Sequence, residues 1–125
     1  MKHNIMVVDD SRVVYVEMKK MLDGSGIEIV SFCRSGEEAL QEYERVRPEL
    51  VTMDIVMPGM DGLETCREMR RRWPDAQVVM VSSLAYDDMV EQARSLGAKG
   101  FLFKPFEKQA LIDGLKNALG DENCQ

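Results

Sequence analysis

The chain has 125 residues, of which 45% are hydrophobic and 30% charged, and its formal net charge at pH 7 is -6. These values predict one globular domain with a sizeable core, and the acidic balance disfavours direct nucleic-acid binding. The 3 cysteines are irregularly spaced, which indicates free thiols in a reducing compartment. No apolar run is long enough to span a membrane and the chain begins with strand-like residues, so we expect a cytoplasmic protein without membrane insertion.

Short apolar runs alternate with amphipathic segments along the whole chain. In chain order they predict a strand over 4–8, a helix over about 11–22, a strand over 27–33, a helix over about 35–46, a strand over 50–53, a helix over about 62–72, a strand over 77–81, a helix over about 86–96, a strand over 99–103 and a helix over about 107–119. The alternation predicts an α/β fold of parallel strands joined by right-handed crossovers, with helices on both faces. The partly alternating pattern of 27–33 favours a place nearer the sheet edge.

Polar residues mark several of the predicted junctions. Asp10 or Ser11 is suited to cap the first helix, and Ser35 with Glu38 three residues later has the spacing of a capping box. Pro58 and Gly59 end the third strand in a loop.

Polar side chains that suit one chemistry stand at the ends of four of the five predicted strands. The first strand ends at Asp9 and Asp10, the third at Asp54, the fourth at Ser82 and the fifth at Lys104. The carboxyl ends of parallel strands share one sheet edge, where ligands bind in open α/β sheets, so we expect these groups to converge. Clustered carboxylates repel one another, and Mg²⁺ relieves that repulsion; no His or Cys stands beside these four ends, which argues against zinc.

The same group of side chains is suited to phosphoryl transfer. A carboxylate can act as a nucleophile and form an aspartyl phosphate. Lys104 would pair with phosphate oxygens and Ser82 would donate a hydrogen bond to one of them. Taken alone, Asp9 and Asp10 could instead be ordinary helix-capping acids, and the presence of Asp54 and Lys104 favours the metal site.

Four motifs stand at these strand ends in a fixed order. They are Val7-Val8-Asp9-Asp10-Ser11, Asp54-Ile55-Val56-Met57-Pro58-Gly59-Met60-Asp61-Gly62, Met80-Val81-Ser82-Ser83 and Lys104-Pro105-Phe106. Together they resemble the receiver domain of two-component response regulators over nearly the whole chain. The resemblance implies a flavodoxin-like, doubly wound fold, with a five-stranded parallel sheet of order 2-1-3-4-5 flanked by five helices. It also implies a single receiver domain over 1–125, with a loose polar tail over about 120–125.

The resemblance implies a role for each residue of the site. Asp54 is the expected phosphoacceptor, and Asp9 and Asp10 are expected to bind Mg²⁺ together with Asp54 and the backbone carbonyl of Val56. Lys104 is expected to contact the phosphoryl group.

The resemblance also assigns roles to two further pairs of residues. Ser82 matches the switch hydroxyl, and Phe101 matches the aromatic residue whose rotamer depends on it. Val56 and Leu84, two residues after Asp54 and Ser82, are apolar where relatives often carry polar or charged residues. We therefore expect them to hinder the hydrolytic water and to lengthen the life of the phosphoryl group.

The expected function is a phosphorylation-controlled signalling switch and not a classical enzyme. A histidine kinase or phosphotransfer protein would donate the phosphoryl group, and a protein partner would read the face of the fourth helix, fifth strand and fifth helix. The chain would be a monomer or a phosphorylation-dependent dimer. Its opening motif and length resemble the chemotaxis type of receiver.

Alternatives remain open from the sequence alone. The chain could be the receiver of a larger DNA-binding or enzymatic response regulator, although the absence of a linker after the last helix favours a stand-alone receiver. A phosphatase using an aspartyl phosphate is disfavoured, because such enzymes usually carry an Asp-x-Asp motif that Asp9-Asp10-Ser11 does not match. Phe103 and Phe106 are interpreted as core or packing residues, and Arg70-Arg71-Arg72 as a solvated helix face.

Overall fold

The computed structural model describes residues 2–84 and 87–120, and strands and helices alternate throughout. The elements are β1 His3–Val8, α1 Arg12–Leu22, β2 Ile27–Cys33, α2 Gly36–Val46, β3 Leu50–Asp54, α3 Gly62–Arg72, β4 Val78–Ser82, α4 Asp87–Ser95, β5 Gly100–Phe103 and α5 Lys108–Ala118. The predicted start of the fourth helix at Tyr86, the predicted loose tail beyond Gly120 and the third thiol, Cys124, lie outside the described residues. Cys33 and Cys66 are buried free thiols.

The five strands form one parallel sheet in the order β2-β1-β3-β4-β5. This confirms the predicted order and the edge position of β2. The five residues of β3 and the five of β4 are all buried, as expected for central strands covered on both faces.

Alternate residues of the strands face two separate cores, as the period of two in a strand requires. Ile5 and Val7 of β1 pack with residues of α1 and α5. Met6 and Val8 pack on the other face with residues of α2, α3 and α4. The sheet is therefore held from both sides, and its strand ends are free to carry the polar residues.

Side-chain caps fix where three of the helices begin at that sheet edge. Ser11 Oγ accepts from the Val14 amide at 3.4 Å, and Asp61 Oδ1 accepts from the Glu64 amide at 2.8 Å. Ser35 Oγ accepts from the Glu38 amide at 3.1 Å, whereas the Glu38 carboxylate accepts from the amide of Arg34 and not from that of Ser35. The capping box is thus present with its reciprocal bond moved by one residue.

Strand ladders extend beyond the predicted ends at two positions that matter for the site. Asp54 and Ser82 are the last residues of β3 and β4, because the Ile55 amide still bonds Val81 O at 3.0 Å and the Lys104 amide bonds Ser82 O at 2.9 Å. Asp54 and Ser82 are therefore held by the sheet itself.

The residues predicted to have only packing or surface roles have different outcomes. Phe103 is 50% exposed and so does not belong to a core, although its ring packs against that of Phe101 with the centroids 5.1 Å apart. Phe106 packs against the α1 and α5 core, as expected. Arg71 and Arg72 are exposed and pair with Glu68, as expected for a solvated helix face, whereas Arg70 is partly buried and donates to the carbonyl oxygen of Ala76. Among the described residues, no helix combines the length and the apolarity needed to cross a bilayer.

Candidate functional site

Three carboxylates converge where β1 and β3 end side by side. Val8 is paired with Met53 in the sheet, so the next residues, Asp9 and Asp54, lie side by side at the ends of the two strands. One carboxylate oxygen from each of Asp9, Asp10 and Asp54 lies within 4.8 Å of the others. Asp9 and Asp54 are buried, and Asp10 is partly exposed. These three residues form a carboxylate cluster, which confirms the expected convergence.

Lys104 joins the carboxylate cluster from the end of β5. Its Nζ lies 2.7 Å from Asp9 Oδ2 and 3.4 Å from Asp54 Oδ1. Burial lowers the pKa of the Lys104 ammonium, but the hydrogen bond to Asp9 and the charges of Asp54 and Asp9 outweigh burial, so its pKa is raised overall. The ammonium therefore remains a fixed positive charge between two of the acids.

One cation does not neutralise three acids. Burial, and then the charge of Asp9, raise the pKa of Asp54 from 3.8 to about 6, although Lys104 acts in the opposite direction. Ionised Asp54 is thus a buried carboxylate held at an electrostatic cost, which further positive charge at the site would relieve.

The donor set of the carboxylate cluster suits a hard cation. All three candidate ligands are carboxylate oxygens, and neither nitrogen nor sulfur donors belong to the cluster. The Asp9 carboxylate is oriented by the Ser11 amide, which donates to its Oδ1 at 2.8 Å. Oxygen ligands with few carboxylates are what Mg²⁺ prefers, so the residues present fit that ion.

Ser82 lies one strand away from Asp54 and is buried. Asp54 is paired with Val81, which places the Ser82 side chain just beyond it along β4. Ser82 Oγ accepts from the Leu84 amide at 3.0 Å, so its own hydroxyl hydrogen stays available to another acceptor. The hydroxyl therefore already links the strand to the loop beyond it.

The other predicted residues surround the carboxylate cluster without belonging to it. Phe101 is half-buried and lies opposite Met80, two residues before the position of β5 that faces Ser82. Val56 and Leu84 are 56% and 40% exposed, and they come after Asp54 and Ser82 on two neighbouring loops. The mouth of the site thus carries two exposed apolar side chains.

One residue at this edge has no role in the sequence-based prediction. Arg34 comes directly after β2, and its Nη2 donates to the carbonyl oxygen of Asp10 at 3.2 Å. The signal was available, since β2 was the one predicted strand to which no polar end group was assigned.

Comparisons with known proteins show which family and which relatives the chain resembles. The model of the response regulator receiver domain matches residues 5–116. A chemotaxis protein CheY of Listeria monocytogenes is 36% identical over 114 residues, which cover 91% of this chain and 96% of that protein. A solved chain of the CheX-CheY-BeF3-Mg complex from Borrelia burgdorferi is 28% identical with a TM-score of 0.88, covering 92% of this chain and 87% of that one. A protein-glutamate methylesterase/protein-glutamine glutaminase of Alkalilimnicola ehrlichii is 42% identical over 109 residues, which are 85% of this chain but 28% of that protein.

Proposed function

Because the chain belongs to the response regulator receiver domain family of two-component systems, we propose that Asp54 accepts a phosphoryl group and thereby switches a surface read by a partner protein. Receiver domains are signalling switches and not classical enzymes, so the product of the reaction is a state of the protein. The observation that carries the proposal is the burial of Asp54 beside Asp9 with Lys104 between them.

The transfer step needs little beyond positioning. An Asp54 carboxylate oxygen forms a bond to phosphorus, the P–N bond of a donor phosphohistidine breaks, and the imidazole nitrogen leaves with the electron pair. The ionised carboxylate is itself the nucleophile, so no side-chain base is required. Lys104 pairs with the phosphoryl oxygens, and Ser82 donates a hydrogen bond to one of them.

Asp9, Asp10, Asp54 and the backbone carbonyl of Val56 would hold Mg²⁺. Bound there, the ion neutralises the charge of the acids and of the incoming phosphoryl oxygens. The fit rests on the all-oxygen donor set of the carboxylate cluster.

The switch begins at the Ser82 hydroxyl. When Ser82 turns to donate to the phosphoryl group, its bond from the Leu84 amide is strained or broken and the loop moves with it. Phe101 then turns inward, and the face formed by α4, β5 and α5 changes shape. This is a population shift between two packings, biased by the contacts of the phosphoryl group.

Val56 and Leu84 set the lifetime of the phosphorylated state. Both are exposed at the mouth of the site. Neither side chain can hydrogen-bond a hydrolytic water, so we propose a longer-lived acyl phosphate than in receivers with polar residues at these positions.

The proposed setting is a cytoplasmic two-component pathway. A histidine kinase or phosphotransfer protein supplies the phosphoryl group, a protein target binds the α4, β5 and α5 face, and the chain acts as one receiver domain without nucleic-acid or membrane contacts. It is a monomer or dimerises on phosphorylation. The name of the Listeria relative favours a chemotaxis role. The match to part of a methylesterase supports the second candidate, in which the chain is the receiver of a larger regulator.

Labelling by radioactive acetyl phosphate tests the assignment of Asp54. The wild type should take up label only with Mg²⁺, and Asp54→Asn should take up none. Asp61→Asn is a matched control, because Asp61 is exposed, lies on the same loop and caps α3 in a way that Asn also can. Undiminished labelling of Asp54→Asn, or full labelling in EDTA, would contradict the proposal.

A further inference from the structure

Arg34 is placed beside the carboxylate cluster by the backbone of the sheet. Val8 of β1 pairs with Cys33, the last residue of β2, and the Asp9 amide bonds Cys33 O at 3.0 Å. The next residue, Arg34, therefore starts its loop next to the two acids of β1. Its amide donates to Glu38 Oε1 at 2.8 Å, which fixes the backbone from which the side chain extends.

The guanidinium of Arg34 is directed at the site and not into a surface ion pair. Its Nη2 donates to the Asp10 carbonyl oxygen at 3.2 Å. Exposed arginines elsewhere, such as Arg45, Arg71 and Arg94, each bond a glutamate on their own helix. Within the described residues, Arg34 has no carboxylate at ion-pair distance, so its charge is left to act on the carboxylate cluster.

The position of Arg34 changes the net formal charge of the site. With Lys104 alone the three acids leave two negative charges, and Arg34 reduces them to one. A divalent ion would then make the metal-bound site positive by one. Replacing the Asp54 carboxylate by a dianionic acyl phosphate adds one negative charge and returns the site to neutrality.

We propose that Arg34 is a charge-balancing residue of this site, which weakens Mg²⁺ binding before phosphorylation and favours the phosphoryl group once the metal is bound. This inference rests on the proposed function of Asp54. The guanidinium is exposed, so its effect is a modest one that salt screens.

A charge-balancing Arg34 acts in opposite directions on Mg²⁺ and on the phosphoryl group, which distinguishes this role from a merely structural one. If Arg34 only tethered the β2–α2 loop to the β1–α1 loop, its loss would loosen the site and weaken every ligand. If its charge matters, the loss strengthens the binding of a cation and weakens the binding of an anion. Arg34→Gln removes the charge while retaining an amide donor, and Arg34→Lys retains the charge.

The experiment measures two affinities at low ionic strength, from the ligand-dependent gain in the free energy of unfolding. The first is the Mg²⁺ affinity of the unphosphorylated protein, and the second is the affinity for beryllofluoride, a phosphoryl mimic, at saturating Mg²⁺. We expect Arg34→Gln to bind Mg²⁺ about two- to five-fold more tightly and beryllofluoride about two- to five-fold more weakly than the wild type. Both differences should shrink as salt is added.

Two controls complete the experiment. Arg34→Lys should match the wild type because it retains the charge. Arg72→Gln should also match it: Arg72 is the last residue of α3, at the opposite end of that helix from the site, and its loss changes the net charge equally. Parallel weakening of both ligands in Arg34→Gln, no change in either, or the same changes in Arg72→Gln would overturn the role of Arg34. A wild type that binds neither ligand would instead overturn the proposed function, and with it this inference.

Discussion

Asp54, the proposed phosphoacceptor, carries an electrostatic penalty. It is buried at the end of a central strand, and burial and the charge of Asp9 raise its pKa to about 6. An isosteric Asn would carry no charge and would avoid this penalty, so stability does not explain the acid.

In the metal-free protein, Asp54→Asn should therefore increase stability at pH 7. Because its pKa is higher in the folded than in the unfolded chain, the Asp54 carboxyl destabilises the fold only when it is ionised. The stability of the protein is therefore undiminished below the ordinary pKa of 3.8, and part of it is lost as the pH rises through about 6. Removing the acid should raise the free energy of unfolding at pH 7 by on the order of 2 kcal/mol and have little effect at pH 4. Urea unfolding in EDTA measures this. A variant less stable than the wild type at pH 7 would contradict the electrostatic explanation.

Val56 and Leu84 lead to a kinetic prediction. The double variant Val56→Asn with Leu84→Glu supplies polar groups that can orient water, and it should shorten the life of the acyl phosphate at least several-fold. The decay of labelled protein after removal of the phosphodonor gives the rate. Val13→Asn is a suitable control, because Val13 is an exposed apolar residue on α1. An unchanged decay rate in the double variant would refute the assigned roles.

The loop between β3 and α3 depends on a glycine for its close approach to the strand. The Gly62 amide donates to Ile55 O at 2.8 Å. A Cβ at residue 62 would collide with the carbonyl oxygen of Asp54 and lie 2.8 Å from Ile55 Cα. The start of α3 is thus packed directly against the backbone that carries Asp54.

Gly62→Ala should disturb both the fold and the site. The added methyl group forces the backbone apart, which should lower the free energy of unfolding by about 1–3 kcal/mol and reduce labelling of Asp54 by acetyl phosphate. Gly100→Ala is the matched control, since a Cβ there meets only Val79 Cγ2 at 3.9 Å. Equal effects of the two substitutions on labelling would show that the close packing at Gly62 is unimportant for the site.

The elements that position the site were predictable because apolar runs end on polar residues. Asp9, Asp10, Asp54 and Lys104 each stand at the carboxyl end of a strand. Their convergence needs parallel strands with β1 beside β3, and a lysine long enough to reach the acids from β5. The contacts and the exposure of individual side chains could not be predicted from this pattern. The contact of Arg34 with Asp10 depends on a rotamer, and the 50% exposure of Phe103 depends on how α4 packs beside β5.

At the scale of the whole molecule, the site is connected to the β5 edge through the backbone. The Lys104 amide bonds Ser82 O at 2.9 Å, while the Lys104 ammonium contacts Asp9 and Asp54. Phe101 stands on the same strand, three residues before Lys104. A change at Ser82 can therefore reach the β5 surface without crossing either core.

Ser82→Ala should separate phosphorylation from switching. Labelling of Asp54 should persist, whereas the change in amide hydrogen exchange that beryllofluoride and Mg²⁺ produce in β5 should be lost. Ser83→Ala is the control, because Ser83 is exposed. A full exchange response in Ser82→Ala would rule out Ser82 as the switch hydroxyl.

Chemical identification of the phosphorylated residue is the decisive measurement for the proposed switch. The protein is incubated with Mg²⁺ and phosphoramidate, which carries the same P–N bond as a phosphohistidine, then reduced with borohydride and digested for mass spectrometry. Reduction of an acyl phosphate converts aspartate to homoserine, so we expect homoserine at position 54 and nowhere else, with none formed in EDTA. Homoserine at position 9, 10 or 61, or its absence from position 54 in labelled protein, would show that Asp54 is not the phosphoacceptor.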